Sequence, residues 1–521
     1  MTQAANSRYL LAFCLAMALS AGLATPSSAQ DSAIPDVGYF AAIEELYRGE
    51  YQRAVRSFSG EVNTPVRIGQ NFWVDSICYR AMRGETYYQM GETRRALDEF
   101  DAACELFLTY PRWLLTVSFR QDPRPDPNPA RRFSPWGRSG RQVTYGIFPD
   151  TMLVSQGELI TEQRLRQGGP IQALQMWRLN VIEVMRTTAL AIRRRNEILG
   201  PLGRHDRLSK SLVDALARGG NAPRNHWSNA WTELLLGLAQ QGIGESQQAI
   251  THISRGILVD GRFDHPLTGA ALLAQSQLAL EAGNAQAALN LATEASYAAY
   301  AYEDYDVLGA SIELGHRALL AGGGKGVYSP LAPAAEWARR EKFSHLAASF
   351  WLAEAEELAL ADQITAASAR VGNISTRRRD LGDGRLGPIR GYVEALVGYA
   401  GGNHEQADKQ ISEALRHKRL QSLRNLQTVL ANERVDSGEV SARIAVALYG
   451  ELLRDPAAQD WANEPLETFA HLTSSHEPAF GRWLLAALSR KEILPALDIT
   501  ERAKRRRFWR AQPLGGRLLA L

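Results

Sequence analysis

The chain has 521 residues, 45% apolar and 22% charged, with 43 Gly and 22 Pro. These proportions exclude a disordered or collagen-like polymer and leave ample length for a sizeable core. The formal net charge is +3, and Arg8 is the only charged residue among the first 29, so losing that stretch leaves +2 and no electrostatic case for nucleic acid.

The N-terminus has the layout of a secretory signal: Arg8, an apolar run over residues 9–23, then Thr25, Pro26, Ser27, Ser28 and Ala29. Cleavage is expected after Ala29, which makes 1–29 a signal peptide and exports the mature chain to a bacterial periplasm, cell envelope or medium. Ser20 and Gly22 interrupt the apolar run too early for an anchor, so no transmembrane span is expected after cleavage. Phe13 is too bulky, and the run before Cys14 too short, for lipoprotein processing.

Two cysteines remain, Cys78 and Cys104, near the start of one predicted helix and the end of the next. An antiparallel pair would bring them within disulfide reach. Two small buried thiols are the commoner outcome.

Self-similarity organises most of the rest. Gly84, Gly91, Ala96, Phe100 and Ala103 set a spacing that returns as Gly237, Gly244, Ala249, Ile253 and Gly256. It returns again as Ser276, Gly283, Ala288, Ala292 and Ala295, and once more as Ala395, Gly402, Ala407, Ile411 and Ala414. Gly49, Ala54 and Phe58 give a partial copy, and weaker ones fall near residues 361–373 and 495–503. The physical reading is two antiparallel helices joined by a turn that Gly permits, with small residues where the helices approach closely.

This run of Gly, aromatic, Gly, Ala, aromatic and Ala residues resembles the tetratricopeptide repeat family over residues 40–111 and 227–511. The turns recur near every 40 residues rather than the family's about 34, which implies longer loops or helices. The resemblance implies an all-α fold, an α-solenoid of antiparallel helix hairpins wound as a superhelix. It would carry N-terminal repeats over 30–111, a non-repetitive Pro/Arg-rich insertion with long helices over 112–225, and C-terminal repeats over 226–521.

Within the insertion, Pro123, Pro125, Pro127 and Pro129 forbid a helix, and residues 142–148 form the best strand-like stretch. A long helix is expected from Pro170 to about Leu199, with Ala173, Met176, Trp177, Val181 and Met185 at helical spacing, and a shorter one over 209–217. The two helical arms would meet here.

Candidate chemistry is sparse. Gly322, Gly323, Gly324, Lys325 and Gly326 lack the Gly and Ser/Thr a phosphate loop needs and read as a turn. The pairs His471 with His476 and His404 with His417 lack metal-ligand spacing and read as surface or capping residues; Glu354, Glu356 and Glu357 read as a solvated helix face. No catalytic, cofactor or metal set is expected.

Three basic clusters stand out: Arg193, Arg194 and Arg195; Arg377, Arg378 and Arg379; and Lys504, Arg505, Arg506 and Arg507 with Arg510. Consecutive charges fan around a helix, so an acidic protein or anionic polymer is a minor expectation. Tyr297, Tyr300, Tyr302 and Tyr305 are the candidate partner-binding group, with packing between repeats as the commoner role of such residues.

The leading expectation is a scaffold, not an enzyme, holding a protein or peptide partner, with a homodimer as a further outcome. The alternatives are the recognition arm of a larger enzyme and a cell-envelope polymer binder. The apolar ending over 515–521 and a short likeness of residues 496–505 to the last repeat before a caspase-like peptidase domain motivate the first of these.

Overall fold

The structure is a computed structural model that describes residues 33–512 apart from 62–65, 69–70, 143, 157–174, 325 and 375–383. The expected signal peptide, the run Arg377, Arg378 and Arg379, and residues 513–521 lie outside the described residues. The described chain is mostly helical, with a few short strands. Among these residues no helix is long and apolar enough to cross a membrane.

Helices that carry Gly, Ala or Ser on their contact face approach closely, and successive helices here pack on one another in this way. Helix α1 (Val37–Tyr47) packs on α2 (Tyr51–Glu61), and α3 (Ser76–Gln89) on α4 (Thr93–Thr109). Helices α5 (Val181–Leu199) and α6 (Arg207–Ala217) follow the insertion, and then α7 (Asn229–Gly242) packs on α8 (Ser246–Arg255). Helix α9 (Thr268–Glu281) packs on α10 (Ala285–Ala301), and α10 on α11 (Tyr305–Ala321). Next come α12 (Leu331–Arg340), α13 (Ser344–Leu360), α14 (Ile364–Gly372), α15 (Leu386–Ala400) and α16 (His404–Gln421). The last are α17 (Leu423–Asp436), α18 (Ala442–Leu452), α19 (Ala458–Asn463), α20 (Pro465–Thr473), α21 (Glu477–Ser489) and α22 (Ile493–Ala511).

One turn geometry recurs between these helices. Gly91, Gly244, Gly283 and Gly402 have φ of 78°, 81°, 79° and 77°, and the next residue's N–H reaches the carbonyl five positions back, closing the preceding helix. Glu303, Lys342, Asp362 and Lys491 hold the same place with φ of 57°, 64°, 59° and 61° and the same hydrogen bond.

The other positions of the repeat meet across the helix pair. Phe100 packs against Gly84, Ala96 and Ala103 are buried, and Ala249, Ala288, Ala295, Ala407 and Ala414 are buried as well. A Cβ added at Gly237 would lie 2.5 Å from Ile253 Cγ1, 2.9 Å from its backbone nitrogen and 3.0 Å from the Ala249 carbonyl. Two of these atoms are backbone and cannot swing away. Gly237→Ala is therefore expected to cost about 1–3 kcal/mol through overpacking, more than the roughly 1 kcal/mol of helix propensity it gains. A urea titration checks this, and a raised midpoint would refute the close-approach argument.

The insertion corrects the expected helix from Pro170. Residues Gln175–Leu179 form a strand, paired antiparallel with Met152–Gln156, which in turn pairs with Val117–Ser118. Trp177 is drawn out of helical register because its indole N–H donates to Gln156 Oε1 at 2.7 Å. The helix begins only at Val181, where the Asn180 side chain accepts from the Glu183 N–H at 2.9 Å.

A second small sheet contains the expected strand, observed as Thr144–Ile147, between Arg124–Pro125 and Phe263–Asp264. Cys78 and Cys104 are free, buried thiols rather than a disulfide.

Distant parts of the chain also touch. Gln427 of α17 donates to the Ile198 carbonyl at 3.1 Å, Arg434 meets Asp206 at 2.6 Å, and Arg94 meets Glu433 at 3.0 Å.

Candidate functional site

Helix α5 carries four arginines that face inward and lose their water, so each needs an acid. Arg186 meets Glu183 at 2.7 Å, Asp306 at 2.6 Å and Asp304 at 3.2 Å; Arg193 meets Asp306 at 2.9 Å. Arg194 grips both oxygens of Glu85 at 2.7 and 2.8 Å and reaches Glu197 at 2.9 Å. Arg195, almost fully buried, meets Asp101 and Asp206 at 2.5 Å each.

The Arg193, Arg194 and Arg195 cluster is thus an internal ionic network, and its acids come from α3, α4, α11, the start of α6 and, through Glu197, α5 itself. Burial and the adjacent Asp306 carboxylate push Asp304 well above the usual carboxylate range, so it keeps a proton. Burial also opposes ionisation of Asp306, but Arg186 and Arg193 outweigh it and hold that carboxyl at about 2.

Beside this network lies a cavity of about 410 Å³, bordered by Tyr88, Arg194, Glu197, Glu313, Arg317, Arg385, Glu464 and Glu467 among others. One branch runs toward His316 and Lys418 and another toward Tyr47 and His345; Glu313, Arg317 and Arg385 border all three. The Tyr88 ring lies between two guanidinium groups, Arg194 at 4.1 Å and Arg385 at 3.9 Å, and its hydroxyl donates to Glu197. Burial would raise Glu197, but Arg194 and Arg385 prevail and hold it at about 2.

Most charges here are compensated: Arg317 meets Glu464 at 2.7 Å and Lys418 meets Glu467 at 2.8 Å. The Arg385 guanidinium has no ion pair among the described residues.

The histidines and thiols near these cavities are held in fixed protonation states. Burial lowers His316, yet hydrogen bonds to Glu356 and Glu357, at 3.2 and 2.7 Å, raise it to about 9. Burial takes His345 down to about 4, with Nδ1 2.6 Å from the Tyr51 hydroxyl. Burial pushes the Cys104 thiol up to about 12 and raises that of Cys78 as well, so neither is a thiolate at neutral pH.

Several sequence-based assignments change. Glu354 and Glu357 are buried rather than solvated; Glu354 meets Arg370 at 2.9 Å, and Glu356 and Glu357 clamp His316. His471 and His476 are buried, their rings 4.3 Å apart, rather than on the surface. His404 and His417 are exposed.

The tyrosine group is half-buried and ties down the insertion. Tyr302 accepts from the Gly146 N–H at 3.0 Å, Tyr300 packs on Trp136, and the hydroxyl of Tyr297 stands against Gly137. Tyr305 packs on Tyr47 and Phe343.

Sequence reasoning missed Tyr88, Glu313, Arg317 and Arg385 because they come from three separate places, α3, α11 and the start of α15, and of the four only Glu313 and Arg317 share a helix. No periodicity within one helix could join them. No family model matches the chain, and no curated protein matches it either.

Proposed function

We propose that the chain is a non-catalytic interaction scaffold, an α-solenoid of tetratricopeptide-like hairpins that acts after export and holds a segment of a partner protein in its central cavity. The observation that carries this reading is Arg385. It stands where the three branches of the cavity meet, stacked on Tyr88, with no carboxylate of its own among the described residues.

The remaining lining is a balanced mixture of paired cations and anions, which suits a polar segment placing an acidic side chain against Arg385 better than it suits a densely charged polymer. The recurrent turn at Gly91, Gly244, Gly283 and Gly402, with Ala at the close contacts, supports the repeat assignment.

The test is an affinity pull-down with residues 30–521 from envelope extract at two salt concentrations, with Arg385→Glu in parallel. A discrete partner retained by the native chain at high salt, and captured at least tenfold less by the variant, is expected. An empty eluate, or equal capture by both, overturns the reading.

A further inference from the structure

Helices α21 and α22 enclose a cavity of about 280 Å³ that shares no lining residue with the central one. Phe480, Leu484, Ile499 and Ala503 give it apolar walls, and Arg506 forms part of its lining. Arg506 is 5% exposed, and neither Nη1 nor Nη2 finds an acceptor among the described residues.

The acids around it are engaged elsewhere. Asp455 pairs with Arg505, and Asp460 with Arg424 and Arg454. Glu477 lies 3.4 Å from Arg510 and 3.9 Å from Arg507. His471 and His476 bring no negative charge to compensate a cation, and burial lowers both. Burial lowers Arg506 only to about 10, so it remains charged at neutral pH. A buried charge without a counter-ion is costly, and an anion entering the adjoining space relieves that cost.

We propose that this cavity binds a small alkyl carboxylate, its charged head neutralising Arg506 and its chain lying against Phe480, Leu484 and Ile499. The volume lies just under the roughly 300–1,000 Å³ usual for drug-sized ligands, which limits the chain to a short one. The rim cations Lys504, Arg507 and Arg510 add attraction for an incoming anion.

The test is calorimetric titration of the whole protein with octanoate, with neutral octanamide and with inorganic phosphate. Two variants accompany it. Arg506→Met removes the charge and keeps much of the bulk. Gly481→Leu fills the cavity from a position where a Cβ meets nothing within 4 Å.

Saturable octanoate binding is expected, at least tenfold tighter than octanamide or phosphate and weakened at least tenfold in both variants. The unliganded Arg506→Met protein should melt no lower than the native one, because it loses an uncompensated charge. No saturable binding, equal affinity for octanamide or phosphate, undiminished binding by either variant, or a lower melting point of unliganded Arg506→Met overturns the proposal.

Discussion

Replacing Arg194 with Ala is expected to destabilise the protein by about 3–5 kcal/mol, the usual cost of removing one partner of a buried ion pair. Glu85 is the reason. Its side chain is 2% exposed and receives two hydrogen bonds from this one guanidinium, leaving Gln89 as its only other partner among the described residues when the arginine goes. Glu197 would lose Arg194 too, but keeps the Tyr88 hydroxyl.

The double variant Arg194→Met with Glu85→Leu should recover most of the loss, since apolar residues of similar bulk leave no stranded charge. Urea denaturation of the native chain, both single variants and the double completes the cycle. A double variant no more stable than Arg194→Ala would mean that the pair matters through shape rather than charge.

Asp75→Asn is expected to stabilise the protein above neutral pH. The carboxyl is fully buried; Oδ2 accepts from the Val66 N–H at 2.9 Å, while Oδ1 has no hydrogen-bond partner among the described residues. Burial, only partly opposed by that hydrogen bond, raises it from the usual 3.8 to about 7. Between those two values the folded protein keeps a proton that the unfolded chain has released. The contribution of this group to stability is therefore greatest below about pH 4, falls as pH rises, and levels off above about pH 7.

Asn is neutral throughout and escapes this loss. At about 1.4 kcal/mol per pH unit, the variant should match the native chain within about 1 kcal/mol at pH 4 and exceed it by about 2–4 kcal/mol at pH 8. A gap that does not change with pH would show that Asp75 is already ionised when folded.

The turns between helices were legible in the sequence where they use Gly, as at Gly91, Gly244, Gly283 and Gly402, because that conformation is strained for other residues. Where Glu303 and Lys342 adopt it, the pattern lost its clearest mark, although Ala335 and Ala347 keep the flanking spacing of small residues around Lys342. The register then has to be read from the buried alanines alone.

The site was much less visible. Three consecutive arginines on α5 look like a solvated fan until acids more than a hundred positions away along the chain, such as Glu85 and Asp306, are folded against them. The error over residues 175–180 has a similar origin: Met176 and Trp177 fit a helical stripe, and only the partner strand Met152–Gln156 decides otherwise.

The contacts made by α5 also set an order of events during synthesis. Glu85 and Asp101 leave the ribosome before the helix does, but Asp304 and Asp306 follow it by more than a hundred residues. Arg434 joins Asp206 only after 228 more residues have been made. Loop closure over such spans grows only logarithmically in cost, yet it must precede the contacts that reward it. The nascent chain therefore carries Arg186 and Arg193 hydrated, with α5 undocked from α11, until residue 306 emerges.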